Sequence, residues 1–166
     1  MDKKILIRTA VPEDYAFLKD MLYESIHIPP GYDKPPPSII ELPELNYYIR
    51  DWMKESDTGV IAEYGDYKAG AAWSRVAENK NCTGYGFIDL ATPELCFAVQ
   101  QKYRNRGLGT ALMEALFGEL KEKGYNKLSL SVSKTNRAVS LYRRLGFELY
   151  KEQENDFLMV KTIKKA

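Results

Sequence analysis

Residues 94–110 have the sequence ELCFAVQQKYRNRGLGT, and this stretch decides the fold. Residues 94–99 are almost continuously apolar, which predicts a buried strand. From Gly107 to Lys123, leucine and alanine recur every three or four residues and Gly124 provides a stop, which predicts an amphipathic helix. The chain therefore runs from a buried strand through a short basic turn directly into a helix.

The turn between this strand and this helix has the chemistry of an anion site. Gly107 and Gly109 allow the backbone to approach an anion, and the free N–H groups at a helix start favour phosphate. Arg104 and Arg106 add positive charge. The turn lacks the third glycine of the dinucleotide fingerprint and the Gly-Lys-Ser/Thr sequence of triphosphate loops. The residues indicate a diphosphate bound in another way, with a plain tight turn as the alternative.

The C-terminal part of the chain continues the alternation of strands and helices. Residues 127–133 alternate apolar and polar side chains as a strand does. Asn136 is a good cap for a helix that runs to about Leu145. Two final strands are predicted at 147–152 and 156–163.

The N-terminal part contains a long proline-rich interruption, residues 29–37 (PPGYDKPPP), which excludes regular helix and central strand. The sequence leaves open whether this loop is a linker or a lid beside a pocket. The other predicted elements are a strand at 4–8, a helix through about residue 26, a second helix over Leu42–Lys54, and two strands at 59–64 and 67–77 that flank a Gly65-Asp66 turn. This order predicts a mixed sheet covered by helices.

Composition narrows the classes of function. The 166 residues suit one domain, 1–166, and 24 basic against 23 acidic residues give no bulk charge for nucleic acid. No apolar run approaches the roughly 18 residues that cross a membrane. Two cysteines and a single histidine, His27, argue against a disulfide scaffold, a metal site and a Ser-His-Asp hydrolase. We expect a cytoplasmic protein with no metal, no nucleic-acid partner and no membrane association.

Residues 104–109 (RNRGLG) and residues 136–147 (NRAVSLYRRLGF) form two motifs, and these resemble motifs of the GNAT superfamily of acyl-coenzyme A-dependent N-acyltransferases. Residues 104–109 (RNRGLG) match the phosphate loop of the family, Gln/Arg-x-x-Gly-x-Gly/Ala. Residues 136–147 (NRAVSLYRRLGF) match its second cofactor motif. The resemblance covers roughly residues 90–150 and implies an α/β (α+β) fold. Its mixed, largely antiparallel central sheet has helices on both faces and splays between the strands at 94–99 and 127–133.

The resemblance implies acetyl-coenzyme A as co-substrate and direct transfer of the acetyl group to a primary amine. The backbone of Phe97 and Val99 would bind the pantetheine arm and polarise the thioester carbonyl. The implied cofactor-binding set is Phe97, Val99, Arg104, Asn105, Arg106, Gly107, Leu108, Gly109, Thr110, Asn136 and Tyr142. Phe97 and Val99 are also ordinary core residues, and Asn136 is also an ordinary helix cap.

Two residues are candidates for proton transfer. Tyr142 would protonate the departing thiolate, and Glu94, at the start of the strand that leads to the thioester in relatives, would take a proton from the amine. A solvated carboxylate is the alternative for Glu94. His27 is a weaker candidate, since a lone loop histidine is more often structural. Cys96 reads as a buried apolar residue and not as an acyl carrier.

The acceptor is expected between the first two helices, the 78–92 connection and the last strand pair. Tyr32, Trp73 and Tyr85 are the candidate substrate contacts, and aromatic rings with nearby acids suit a cationic amine. A small amine, a polyamine, an antibiotic amine and a peptide amine are not separable. The alternatives are a non-catalytic acyl-CoA sensor or interaction domain and a nucleic-acid module, although the basic residues lack a recognition-helix pattern. The resemblance also implies a possible homodimer.

Overall fold

A computed structural model describes residues 4–163. The strands are β1 (Ile5–Thr9), β2 (Thr58–Tyr64), β3 (Tyr67–Arg75), β4 (Glu94–Val99), β5 (Lys127–Ser133), β6 (Glu148–Glu152) and β7 (Asp156–Thr162). The helices are α1 (Tyr15–Glu24), α2 (Pro43–Asn46), α3 (Leu108–Glu122) and α4 (Ala138–Arg144), and short 3-10 turns occupy Pro12–Asp14, Pro37–Glu41 and Gln101–Tyr103.

The seven strands form one sheet in the order β1-β2-β3-β4-β5-β7-β6. Every neighbouring pair is antiparallel except β4 and β5, which are parallel and share a single register pair, Glu94 with Ser129. The Ser129 N–H donates to the Pro93 carbonyl at 3.0 Å, and beyond this point the two strands separate. The predicted mixed, largely antiparallel sheet and its splay between residues 94–99 and 127–133 are thus confirmed.

Helices cover both faces of the sheet, because alternate strand residues point to opposite sides. Buried residues of one face, such as Ile61 and Trp73, pack with Leu18 and Met21 of α1. Buried residues of the other face pack with α3 and α4 in a second cluster. The gap between β4 and β5 therefore lies at the middle of a two-sided core, and no helix among residues 4–163 is long and apolar enough to cross a membrane.

The prediction of a second helix over Leu42–Lys54 is wrong, since α2 ends at Asn46. The carbonyls that would continue the helix are taken by side chains of β3. The Arg75 guanidinium donates to the carbonyls of Tyr47 and Arg50 at 2.5 and 2.6 Å, and the Trp73 indole donates to that of Tyr48 at 2.9 Å. Tertiary hydrogen bonds therefore replace helical ones in this segment.

The proline-rich segment is a loop, as predicted, and it is tied back to α1. The Tyr23 hydroxyl donates to the Pro35 carbonyl at 2.6 Å. At the start of the loop, Nε2 of His27 lies 2.9 Å from Oγ1 of Thr135, in the turn that precedes α4. The loop therefore belongs to the wall on the α1 side of the splay, and this favours a pocket wall over a linker.

Candidate active site in the sheet splay

The backbone of β4 leaves hydrogen-bonding groups unpaired inside the gap. The Gln100 N–H donates to the Ala69 carbonyl on β3 at 2.8 Å, whereas the Pro93 carbonyl faces β5. Because successive residues of a strand direct their N–H and C=O groups to opposite sides, Phe97 and Val99 direct theirs towards β5. Since β5 has diverged there, an extended ligand can take its place as a pairing partner.

The turn after β4 forms a concave set of N–H groups. Asn105 and Gly107 have positive φ angles of 63° and 80°, which turn the backbone into the start of α3. The first helical donor is the Ala111 N–H, which bonds the Gly107 carbonyl at 3.1 Å. The N–H groups of 108–110 therefore project from the helix end, where an anion is favoured.

Packing explains the second glycine of the turn. A Cβ atom on Gly109 would lie only 3.1 Å from Cζ of Phe97. The first turn of α3 therefore packs directly on the Phe97 ring of β4, so the N–H groups of the turn lie beside the strand that borders the gap. The residues present fit a diphosphate joined to a slender extended arm, which is the shape of coenzyme A.

The two arginines of the turn are anchored by their side chains. Arg104 Nε donates to the Val99 carbonyl at 3.0 Å, and this bond occupies one of the backbone groups that face the gap. The Arg106 guanidinium stacks 5.0 Å from the Tyr64 ring centroid, with Nη1 3.3 Å from the Tyr64 hydroxyl. Both arginines thus hold the turn in shape while adding positive charge to it.

Tyr142 of α4 stands beside the gap. Its ring packs edge-on against Phe97 and Phe147, with centroid separations of 6.3 and 5.6 Å. Only 8% of the residue is exposed, and this burial raises the pKa of the phenol well above its ordinary value. The phenol is therefore protonated at neutral pH and carries a proton, although the raised pKa makes it a weaker acid than an exposed tyrosine. Asn136 lies two residues before α4, and its Oδ1 accepts from the Ala138 N–H at 2.9 Å, while Arg137 occupies the N-cap position.

Glu94 lies at the closed end of the splay and is fully buried, so the alternative of a solvated carboxylate is wrong. Its Oε2 accepts from the Gly84 N–H at 3.2 Å, and its Oε1 lies 3.4 Å from the Tyr48 hydroxyl. Burial raises the pKa of Glu94, while hydrogen bonds, including those from Gly84 and Tyr48, oppose the rise. A carboxyl with a raised pKa is suited to exchange protons nearer neutral pH.

The connection between β3 and β4 forms a wall beside Glu94. The Tyr85 N–H donates to the Tyr48 hydroxyl at 3.0 Å, and the Gly86 carbonyl accepts from Oγ of Ser129 at 2.6 Å. Sequence reasoning missed Ser129 as part of the site, and it placed Tyr48 among the aromatic residues near the acceptor or in the core without linking it to Glu94. The two glycines that flank Tyr85 were the available signal, because glycine marks a close backbone approach.

The structure separates the three predicted acceptor contacts. Tyr32 and Tyr85 are 73% and 54% exposed on the α1 side. Trp73 is fully buried in the core, and its indole N–H is satisfied by the Tyr48 carbonyl, so its assignment as a substrate contact is corrected. Burial and the charges of Glu44 and Asp156 raise the pKa of Tyr85, which places two carboxylates in the neighbourhood of this ring.

The remaining chemically notable side chains do not form a second centre. Cys96 is buried, and burial raises the pKa of its thiol to about 12, which agrees with a role in packing. Within residues 4–163, no group of three or more His, Cys, Asp or Glu side chains is placed to hold a metal ion.

Comparisons with known proteins agree with this geometry. The family model described as Acetyltransferase (GNAT) family matches residues 20–147. N-alpha-acetyltransferase 30 of Schizosaccharomyces pombe is 26% identical over 144 residues, which make up 86% of this chain and 85% of the relative. The ribosomal protein bS18-alanine N-acetyltransferase of Escherichia coli (strain K12) is 45% identical over 51 residues, 30% of this chain and 34% of the relative.

A solved structure extends the likeness to the whole fold. The PaiA N-acetyltransferase of Thermoplasma acidophilum, in complex with coenzyme A, superposes with a TM-score of 0.70 at 21% identity, covering 96% of this chain and 99% of that one. The resemblance indicated by residues 104–109 and 136–147 is thus confirmed. The chain belongs to the acetyltransferase (GNAT) family and is an acyltransferase.

Proposed function

We propose that this protein transfers an acetyl group from acetyl-coenzyme A directly to a primary amine. The observation that carries the proposal is the continuity of the splay. Three groups follow one another along the gap. They are the N–H groups of 105–110, the backbone groups of Phe97 that face β5, and the Tyr142 phenol. This arrangement suits a diphosphate, an extended arm and a departing thiolate, in that order.

The chain holds the co-substrate mainly through its backbone. N–H groups of 105–110 bind the diphosphate, and the gap-facing backbone of Phe97, together with the Val99 N–H, pairs with the amides of the pantetheine arm. We assign Asn136, at the turn before α4, a contact with the same arm. The co-substrate supplies an acetyl thioester, and its carbonyl becomes more electrophilic when a backbone N–H donates to it.

Three groups of the chain carry the proton and charge changes. Glu94, through water, takes a proton from the ammonium group and leaves a neutral amine to attack the thioester carbon. The Phe97 N–H stabilises the negative charge that develops on the carbonyl oxygen, an effect of about 3 kcal/mol per donor. As the new C–N bond forms and the C–S bond breaks, the Tyr142 phenol donates its proton to the thiolate. The nitrogen then releases its second proton to water to give the neutral amide, and the Tyr142 phenolate regains a proton from solvent.

The acceptor enters from the α1 side, and a peptide α-amine is our first choice. Tyr85 is exposed there, close to the charges of Glu44 and Asp156, and Tyr32 projects from the proline-rich loop. Aromatic rings and carboxylates attract a cationic amine. The two curated relatives are named as an N-alpha-acetyltransferase and as an alanine N-acetyltransferase of a ribosomal protein. A small amine is the second choice.

The test measures thiol release from acetyl-coenzyme A over a panel of amines, together with calorimetric binding of coenzyme A. The panel contains a lysine-free peptide with a free N-terminus, an N-acetylated peptide with one lysine, spermidine and an aminoglycoside. We expect release with the first peptide. Binding of coenzyme A without release on any amine would instead identify a non-catalytic acyl-CoA sensor, and absence of binding would refute the proposed site.

A further inference from the structure

Tyr48 is a buried tyrosine that the mechanism above does not use. It follows α2 in the segment that leaves the helical path, and 7% of the residue is exposed. Its ring packs edge-on against Tyr47, with the centroids 5.2 Å apart, and its carbonyl is held by the Trp73 indole. The ring contact with Tyr47 and the hydrogen bond to the Tyr48 carbonyl together fix where the Tyr48 hydroxyl lies.

That hydroxyl connects the buried carboxyl to the neighbouring wall. It donates towards Oε1 of Glu94 at 3.4 Å and accepts from the Tyr85 N–H at 3.0 Å. The Gly84 N–H completes the arrangement by donating to the other carboxyl oxygen, Oε2, at 3.2 Å. A Cβ atom on Gly84 would overlap the Tyr48 hydroxyl and lie 2.7 Å from Oε1 of Glu94, so only glycine fits above this pair.

Two further groups hydrogen-bond Glu94 alongside Gly84 and Tyr48. The Tyr47 hydroxyl and the Gly86 main chain both lower the pKa of the carboxyl, whereas Cys96, on the same strand, is a neutral buried thiol. Arg75 is the register partner of Glu94 on β3, but its guanidinium is bound to Asp57. The orientation and the proton affinity of Glu94 therefore depend on hydroxyl and amide donors and not on a salt bridge.

We infer that Tyr48 is a positioning residue for acetyl transfer, because its hydroxyl holds the Glu94 carboxyl and the main chain of the 84–86 wall in one fixed arrangement. The inference rests on the proposed function and on Glu94 as the base. It assigns Tyr48 no contact with the substrate. Loss of the hydroxyl would leave Glu94 buried with one donor fewer and the wall without its link to the carboxyl.

The test compares Tyr48→Phe with wild type by steady-state kinetics as a function of pH. A lost hydrogen bond to a charged group predicts a fall in kcat of roughly tenfold, with KM for acetyl-coenzyme A unchanged. Since hydrogen bonds lower the pKa of Glu94, the acid limb of the rate profile moves to higher pH in the variant. A merely structural role would lower kcat without moving this limb.

Two further variants separate the possible outcomes. In a Glu94→Gln background, Tyr48→Phe has no further effect on kcat if it acts through Glu94. Gly84→Ala keeps the Tyr48 hydroxyl but displaces the main chain of residues 84–86, and we expect it to lower kcat as well. It serves as the second variant if Tyr48→Phe does not fold. Tyr125→Phe, a half-buried tyrosine between α3 and β5, is the matched control and retains wild-type kinetics.

The outcomes for the inference and for the proposed function differ. Wild-type protein that acetylates no amine in the panel refutes the proposed function. Active wild-type protein together with a Tyr48→Phe variant of unchanged kcat and unchanged acid limb refutes the inference alone.

Discussion

Replacement of Asp57 by alanine removes one half of a buried ion pair that shapes the segment after α2. Arg75 is 2% exposed, and its Nε and Nη2 lie 2.8 Å from Oδ1 and Oδ2 of Asp57. The same carboxylate accepts from the Lys54 N–H at 2.7 Å. In the variant the guanidinium stays buried, bound to two main-chain carbonyls, with no anion to balance its charge.

The expected cost follows from this geometry. Breaking a buried pair on one side costs about 3–5 kcal/mol, and the unpaired Lys54 N–H adds about 1 kcal/mol. For a domain of this size each kcal/mol lowers the melting temperature by roughly 2–4 °C, so a total of about 4–6 kcal/mol predicts a fall of roughly 8–24 °C. Urea unfolding followed by circular dichroism measures the free energy, and a thermal scan measures the midpoint.

Two comparison variants sharpen this test. Glu78→Ala removes an exposed ion pair with Lys54 and should leave the unfolding curve unchanged. Arg75→Met combined with Asp57→Leu removes both charges and should cost less than Asp57→Ala alone. If Asp57→Ala lowers the free energy of unfolding by less than about 1 kcal/mol, the reasoning is refuted, because an unpaired buried guanidinium should destabilise the fold by more than that.

Three further predictions concern the splay and the N-terminal ion pairs. Tyr142→Phe should lower turnover at least tenfold, as general-acid contributions do, and leave coenzyme A affinity unchanged in calorimetry. Gly109→Ala should weaken coenzyme A binding, because its Cβ would lie 3.1 Å from Phe97 and displace the cradle. Burial alone would raise the pKa of Asp14, but hydrogen bonds, Arg8 foremost, hold it below its ordinary value, so its stabilising contribution is lost as the pH falls below about 4. Asp14→Asn should therefore show a shallower loss of unfolding free energy in acid, measured by urea titration.

Each of these three predictions has an outcome that would refute it. Unchanged turnover in Tyr142→Phe removes the acid role. Wild-type affinity in Gly109→Ala shows that the cradle tolerates displacement or does not bind the diphosphate. An acid dependence in Asp14→Asn equal to that of wild type assigns the loss to other carboxylates.

Local patterns predicted the strands on both sides of the site. The bounds 94–99 and 127–133 agree with β4 and β5, because an apolar run and a strict alternation are signals carried within each strand. The helix over 42–54 failed because Arg75, distant in sequence, takes two of its carbonyls. Such a contact leaves no signal in the local sequence pattern. Several apolar residues of the segment are buried as predicted, but they are not on a helix.

The same limit applies to the candidate site. The turn at 104–110 was predictable because its glycines, arginines and following helix are consecutive. The surroundings of Glu94 were not, since its partners come from Gly84 and Tyr48, which are brought together only by the folded sheet. Trp73 was misplaced for a related reason, because an aromatic side chain of a strand can face either the core or a pocket.

The divergence of β4 from β5 places a sheet edge inside the protein. Open edges on a protein surface invite strand addition by other chains and lead to aggregation. Here the 84–86 wall closes one end of the edge and the Phe97–Tyr142 contact borders it, so protein flanks the edge instead of leaving it open at the surface. In the proposed function, a thin, linear molecule with amide groups pairs with this edge. The unpaired strand can thus offer its backbone groups to a ligand without exposing an edge that promotes aggregation.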